Sequence, residues 1–325
     1  MSILVTGAAG FIGYHVAEAL IARGETVIGL DNVNSYYDVS LKEARLLRLA
    51  RHADFRFERR DVAIPGAVAG VLADPAIDRV IHLAAQAGVR FSITNPEAYI
   101  QTNIVGHFNV LEACRRRGAI RHLVYASSSS VYGGNEKLPF SVEDKVDRPV
   151  SLYAATKMAD EMMSHCYSHL YRLPATGLRF FTVYGPWGRP DMSAYLFTKA
   201  ILEGRAIRVF NRGDMKRDFT YIDDIVAGVL AGLDRPPIES GAAAPHRRYN
   251  IGNHRAEPLL RFIELIERAT KRKAIVELEE MQPGDVKETY ADIEAARRDL
   301  DFEPHTSIDV GIPRFVAWFR DYYRI

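Results

Sequence analysis

The chain has 325 residues, of which 48% are hydrophobic, enough for one large or two modest domains around a sizeable core. Lys and Arg total 42 against 41 Asp and Glu, a formal charge of +1, which gives no support to a role on nucleic acid or on a membrane surface. Two cysteines, Cys114 and Cys166, stand far apart and outside any metal-ligand spacing, so neither a disulfide framework nor a metal site is expected. With no charged leader ahead of the first apolar run and no stretch long enough to span a bilayer, a cytoplasmic protein is expected.

In chain order, Ser2 to Thr6 reads as a short buried strand, followed by the glycine-rich turn Gly7-Ala8-Ala9-Gly10-Phe11-Ile12-Gly13. Phe11 to Arg23 has the pattern of an amphipathic helix that stops at Gly24. Thr26 to Leu30 is a second strand ending at Asp31, and Leu41 to Arg51 a helix that is basic on one side. Asp54 to Glu58 is strand-like and leads to Asp61-Val62. Asp78 to His82 is another strand, and Ala98 to Arg117 a long helix whose closing Arg115-Arg116-Arg117 suits the negative end of a helix dipole. Leu123 to Tyr125, Ser151 to Tyr171 and Ala175 to Phe180 continue the alternation as strand, helix and strand. This pattern predicts an α/β protein with a Rossmann-type, doubly wound parallel sheet covered on both faces.

After about residue 180 the pattern loosens, a boundary good to a few residues. Gly185 to Pro190 reads as a loop, Arg235 to Arg247 as a surface connection, and helical patterns recur at Asp224 to Leu233, Pro258 to Thr270, Ile293 to Leu300 and Ile308 to Tyr323. The expected organisation is a cofactor-binding domain over 1–180 and a smaller, mainly helical substrate lobe over 181–325, with the chain free to cross between them.

Gly7, Gly10 and Gly13 lie between the first strand and the first helix. A tight turn there needs residues without a Cβ, and a pyrophosphate needs bare backbone at a helix N-terminus. Asp31 ends the second strand, where a carboxylate accepts from adenosine ribose hydroxyls and repels a 2′-phosphate, favouring NAD over NADP. The competing reading of Asp31 is a turn or helix cap, and the same competition is stronger for Asp61. Tyr153 and Lys157 are four apart, so they project from one face of a helix. A neighbouring ammonium favours phenolate over phenol, the state a general base requires.

Together, Thr6 to Gly13, His82-Leu83-Ala84-Ala85, Tyr125-Ala126-Ser127-Ser128-Ser129-Ser130-Val131-Tyr132-Gly133 and Tyr153-x-x-x-Lys157 resemble the extended short-chain dehydrogenase/reductases across essentially the whole chain. Arg179 to Pro186 and Arg217 to Ile225 carry the likeness into the nucleotide-sugar half, where it is strongest to UDP-glucuronate 4-epimerases. The resemblance implies an NAD cofactor held by Gly7, Gly10, Phe11, Ile12, Gly13, Asp31, Asp61, Val62, Leu83, Ala84, Ala85, Tyr153 and Lys157. It implies Tyr153, Lys157 and Ser128 as the catalytic group, with Lys157 also bonding the nicotinamide ribose. Asn103 is expected to bond backbone near the site, and His82 to be structural.

Related dehydratases carry an acid pair at the positions of Ser129 and Ser130, and UDP-glucuronate decarboxylases usually a Glu at the position of Ser130. Serines there favour plain epimerisation at C4 through a 4-keto sugar that turns about its pyrophosphate link. The substrate implied is a UDP-sugar, UDP-glucuronate first and UDP-glucose or UDP-galactose second, with a non-catalytic NAD sensor as a further alternative. Ser127, Ser128, Ser130, Thr182 and Arg189 are expected around the sugar, with Arg189 either on the C6 carboxylate or paired with Asp191. Arg217 is expected on the pyrophosphate and Asp285 on the uridine ribose. Many relatives have Arg where this chain has Gln282, so one phosphate contact is expected to be missing or to come from elsewhere. A homodimer is expected through Ala98 to Arg117 and Ser151 to Tyr171, with Phe108, Leu111, Met158, Met162 and Met163 as interface positions.

Overall fold

The structure, a computed structural model, describes residues 1–238, 241–282 and 284–325. Glu239 and Ser240 of the expected Arg235 to Arg247 connection, and Pro283 of the Gln282 to Val286 segment, lie outside those residues.

Runs such as Ile3-Leu4-Val5, each with no exposed surface, leave a strand no solvent face and require cover on both sides. The chain meets that demand with strands β1 (Ser2–Thr6), β2 (Thr26–Asp31), β3 (Phe55–Arg59), β4 (Ile77–His82), β5 (His122–Ser128) and β6 (Ala175–Phe180), all parallel. A seventh strand, His246–Ile251, pairs in parallel with β6 at the sheet edge, giving the order His246–Ile251, β6, β5, β4, β1, β2, β3. The order reverses between β1 and β4. In a parallel sheet, ligands bind in the crevice that such a reversal opens beyond the strand C-termini.

The structure adds to the sequence reading in three places. β5 runs on to Ser128 because Ser127 and Ser128 pair with Arg179 and Phe180 in register, although their side chains look like loop. The strand His246–Ile251 carries His, Arg and Asn and lacks an apolar run, so its membership of the sheet is decided by pairing with β6. The chain therefore returns to the first half after residue 180. The long helix is interrupted by a π-helical turn, Ile100–Val105, between Pro96–Tyr99 and Gly106–Arg117. Such turns redirect a side chain, and this one holds Asn103, whose amide accepts from the Gln86 N–H at 2.8 Å and donates to the Gln86 carbonyl at 3.0 Å.

The later helices Ser193–Glu203, Ile222–Asp234, Leu259–Thr270, Glu294–Leu300 and Ile308–Tyr323 share one hydrophobic core with the sheet, running from Ile3 and Val5 to Phe262, Phe315 and Phe319. Among the described residues, no helix is long and apolar enough to cross a membrane.

Candidate active site

The cleft opens along the strand C-termini. It is concave and partly open to solvent. Its lining takes a segment from the end of each of β1 to β6: Gly7 after β1, Asp31 at the end of β2, Asp61 after β3, Leu83 after β4, Ser128 closing β5 and Phe180 closing β6.

At one end lies the glycine turn. Gly7 has φ +75°, a left-handed conformation, and a Cβ there would sit 2.7 Å from the Ala84 nitrogen. A Cβ on Gly13 would sit 2.0 Å from the Gly7 carbonyl oxygen. The helix Phe11–Ala22 therefore starts hard against the turn, with Gly10, Phe11, Ile12 and Gly13 along the cleft. A bare backbone at a helix N-terminus with an acidic residue one strand away is the donor set that a dinucleotide fits.

Asp31 lines the same space. Its carboxylate accepts from Val33 N–H at 2.7 Å and Ala9 N–H at 3.1 Å, so it also braces the turn. Burial pushes its carboxyl above the usual range, against those two bonds and nearby Lys42. Asp61 spends one oxygen on Ala63 N–H and the other on the Asn32 amide, both at 2.8 Å, which is the turn role that competed with a cofactor contact. Val62, Leu83, Ala84 and Ala85 complete this wall.

Beyond the glycine turn, Ser128, Tyr153 and Lys157 line the same cleft. Ser151 caps the helix Leu152–Tyr171 by accepting from Ala154 N–H at 3.1 Å, which fixes where Tyr153 and Lys157 leave it. Lys157 is buried and donates to the Ala126 carbonyl at 3.2 Å and to Asp160 at 2.9 Å. Burial works most strongly against its charge, but Asp160, Tyr153 and Glu161 together outweigh burial and the ammonium is held above its ordinary range. Ser128 accepts from Ser130 N–H and donates to Ser130 Oγ, both at 3.2 Å. Tyr153 packs edge-on to Tyr99, with ring centroids 6.0 Å apart. His82 is buried, its Nδ1 2.7 Å from Thr6 Oγ1, and burial holds it neutral.

The residues expected around the sugar do not all gather there. Ser127 lines the main cleft beside Ser128. Its hydroxyl donates to Glu161 at 2.6 Å, and Glu161 is gripped by Arg179 at 2.7 and 2.8 Å, so that hydroxyl is also tied to a buried support behind β5. Thr182 lines a small adjoining cavity with Arg189 and Met192 rather than the main cleft wall. Arg189 reaches the main cleft, but its Nε and Nη2 already donate to Asp191 at 3.1 and 2.5 Å, the pairing that competed with a substrate role. Tyr36 donates to the same Asp191 at 2.9 Å.

Arg217 and Asp285 lie outside the main cleft lining, near enough to feel each other's charge. Arg217 donates to the carbonyls of Lys216 and Lys287 and has no carboxylate in ion-pair range among the described residues; burial lowers its hold on its proton. Asp285 accepts from Arg90 at 3.0 Å, and Arg90 lies over the Phe210 ring at 4.4 Å. Among the described residues, no group of three or more His, Cys, Asp or Glu is placed to hold a metal ion.

The NAD dependent epimerase/dehydratase family pattern matches residues 3–252. The chain belongs to that family. It is 48% identical over 335 residues to UDP-glucuronate 4-epimerase 4 of Arabidopsis thaliana, covering 99% of this chain and 76% of that one. It is 45% identical over 338 residues to a probable UDP-glucuronate 4-epimerase of Rhizobium meliloti, covering 100% and 98%. The crystal structure of UDP-glucuronic acid 4-epimerase from Bacillus cereus, in complex with UDP-glucuronic acid and NAD, superposes with a TM-score of 0.91 at 34% identity, covering 99% of this chain and 100% of that one.

Sequence reasoning missed two cations in this family member's cleft region. Lys42 and Arg45 lie on the helix that reads as basic on one side, yet both are buried. Arg45 donates to the Ala9 carbonyl at 2.8 Å, the Tyr37 hydroxyl at 2.9 Å and the Trp187 carbonyl at 2.5 Å, tying the glycine turn to the loop that carries Arg189. Their spacing of three, flanked by the buried Leu41 and Leu46, was the available signal.

Proposed function

We propose that this protein epimerises UDP-glucuronate to UDP-galacturonate at C4, using bound NAD. The observation that carries the reading is Ser128, Tyr153 and Lys157 lining one cleft with the glycine turn and Asp31, in a chain alike from end to end to an epimerase solved with that sugar nucleotide and NAD.

Gly7, Gly10 and Gly13 would hold the pyrophosphate of NAD, Asp31 its adenosine ribose, and Lys157 its nicotinamide ribose. Bound NAD supplies a reversible two-electron acceptor for C4. Tyr153 as phenolate takes the proton of the C4 hydroxyl and returns one to the same oxygen after the sugar has turned. Ser128 both donates and accepts, so it bonds that oxygen as alcohol and as ketone. Lys157 keeps a positive charge beside Tyr153. Arg217, with no acid of its own among the described residues, is the cation available to the substrate pyrophosphate while the sugar rotates. Asp285 would serve the uridine ribose.

A 4-keto uronate loses CO₂ when its carboxylate stands perpendicular to the carbonyl plane. Ser128, Ser130, Thr182 and Arg189 are the groups available to restrain it. In this division of labour, residues 1–180 with His246–Ile251 hold the cofactor, and most of 181–325 holds the sugar nucleotide.

A homodimer through the helices Gly106–Arg117 and Leu152–Tyr171 is supported by exposed Phe108 and Met162, at 45% and 62% exposure. Leu111 and Met158 are corrected as interface positions, because both are buried in the protomer's own core, and Met163 packs against that core. Unpaired Cys114 and Cys166 are consistent with a reducing cytoplasm.

The test is NMR of UDP-glucuronate and, separately, UDP-glucose incubated with the purified protein without added cofactor. Conversion of the uronate alone is expected. Conversion of glucose with an untouched uronate overturns the substrate assignment.

A further inference from the structure

A carboxylate lies behind the reactive wall with half of its hydrogen-bonding capacity unused. Asp160 sits on the helix of Tyr153 and Lys157 with no exposed surface. Its Oδ2 accepts from Lys157 Nζ at 2.9 Å, while its buried Oδ1 has no hydrogen-bond partner among the described residues. A buried, half-satisfied carboxylate weakens a fold unless its charge serves another group.

The surroundings identify that group. On the same helix, Glu161 is spent on Arg179 and also meets Arg248 at 3.3 Å. From β5, Tyr125 faces the pair as a buried phenol whose hydroxyl lies 2.9 Å from His246. From the helix Gly106–Arg117, His107 approaches the Asp160 backbone, and from β4 His82 lies tilted beside His107 with ring centroids 5.2 Å apart. Burial keeps His82, His107 and His246 neutral, so none of them offers Asp160 a cation. Lys157 is its one ion-pair partner among the described residues, and the reverse also holds.

An ammonium has three N–H donors. Asp160 and the Ala126 carbonyl take two of those on Lys157, which leaves one for the cleft that Lys157 lines. We propose that Asp160 is the positioning residue of Lys157, fixing the direction of its ammonium and keeping it charged in a buried site. This rests on the role proposed above for Lys157. Direction and charge are separable, since an amide oxygen at this position supplies the first without the second. Burial raises the Asp160 carboxyl above its usual range, and the Lys157 ammonium beside it works against that rise.

The experiment follows the proton of Lys157 directly. Protein with NAD bound carries isotope-labelled lysine, the Lys157 signal is assigned with Lys157→Arg, and its loss of a proton is titrated by NMR in the parent, Asp160→Asn and Asp160→Ser. Both neutral variants are expected to lose the Lys157 proton about one pH unit or more below the parent. The alkaline limb of the turnover profile on UDP-glucuronate should move with it. Asp160→Ala, which also frees the direction, should lose turnover on the order of 10²-fold at neutral pH. A Lys157 titration that superimposes on the parent in both neutral variants overturns the proposal. Asp160→Ser adds no volume, so overpacking cannot mimic the effect. The NMR reading needs no turnover, and a protein inactive on UDP-glucuronate would count against the function while leaving this question decidable.

Discussion

The two parts of the candidate site are built differently. The glycine-turn end is preformed from local sequence: Gly7, Gly10 and Gly13 pack so tightly that a Cβ on Gly13 would meet backbone at 2.0 Å, and Asp31 is braced by two backbone N–H groups. The part expected to take the sugar nucleotide carries charges that already satisfy one another, Arg189 with its near neighbour Asp191 and Arg90 with the distant Asp285. A preformed site binds with little reorganisation, whereas a self-paired one must exchange partners, and that exchange can discriminate between ligands. A tightly held cofactor and a selected sugar call for this division.

The largest expected effect falls where the two parts meet. Tyr153→Phe should keep the fold and the cofactor yet lose turnover by roughly 10²–10⁴-fold, because only the proton acceptor is removed. Steady-state rates with NAD content measured in parallel check this, and near-parental turnover would remove the phenol from the mechanism.

Arg189→Ala tests partner exchange. Removing one member of a desolvated charge pair costs about 2–5 kcal/mol, so uronate turnover should fall much further than UDP affinity, with a pentose by-product if the carboxylate is left unrestrained. Asp191→Asn is the complement. Freed of its internal partner, Arg189 should raise the preference for UDP-glucuronate over UDP-glucose. An unchanged preference in both variants would mean that the Arg189–Asp191 pair is purely structural.

Acid should weaken the sheet half first. Burial depresses His15 and His122 to about 4 and His107 and His246 to about 3, and lowers His82 as well. Their stability is present above the unfolded histidine range and is lost as pH falls from about 6.5 towards the folded values, at roughly 1.4 kcal/mol per pH unit for each proton taken up only on unfolding. Asp160 and Asp218, raised to about 6 by burial, work in the opposite sense, since their contribution is present in acid and lost as pH rises through 6. The histidines outnumber them. The urea midpoint should therefore drop between pH 7 and 5, and a flat or rising midpoint would break this accounting.

Gly13→Ala should cost about 1–3 kcal/mol of stability through overpacking, with NAD lost on gel filtration, because the nearest atoms are backbone and cannot swing aside. Retained NAD and an unchanged melting temperature would show that the turn is less rigid than its contacts imply. Asp31→Ala should have the smallest effect, a relaxed preference for NAD over NADP measured by titration with both cofactors. No change in either affinity would leave Asp31 as a brace for Ala9 and Val33.

The sequence by itself determined the strand–helix alternation, the glycine turn, Asp31 at a strand end and the Tyr153–Lys157 spacing. Each depends on neighbours within a few positions, through helical periodicity, alternating cover and turn sterics, so local order is enough to read it. Tertiary structure decided the rest. Pairing with β6 made a strand of the polar segment His246–Ile251 and kept Ser127 and Ser128 in β5. Contacts across long stretches of chain sent Ser127 to Glu161 and brought Asp285 to Arg90, while Arg189 chose the nearby Asp191 over an open position in the cleft. The same long-range folding buried Arg45 between the glycine turn and the Trp187 loop. A charged side chain can serve many partners, and its choice is set by which groups the folded chain leaves within about 3 Å in a site stripped of water, a condition that no local pattern encodes.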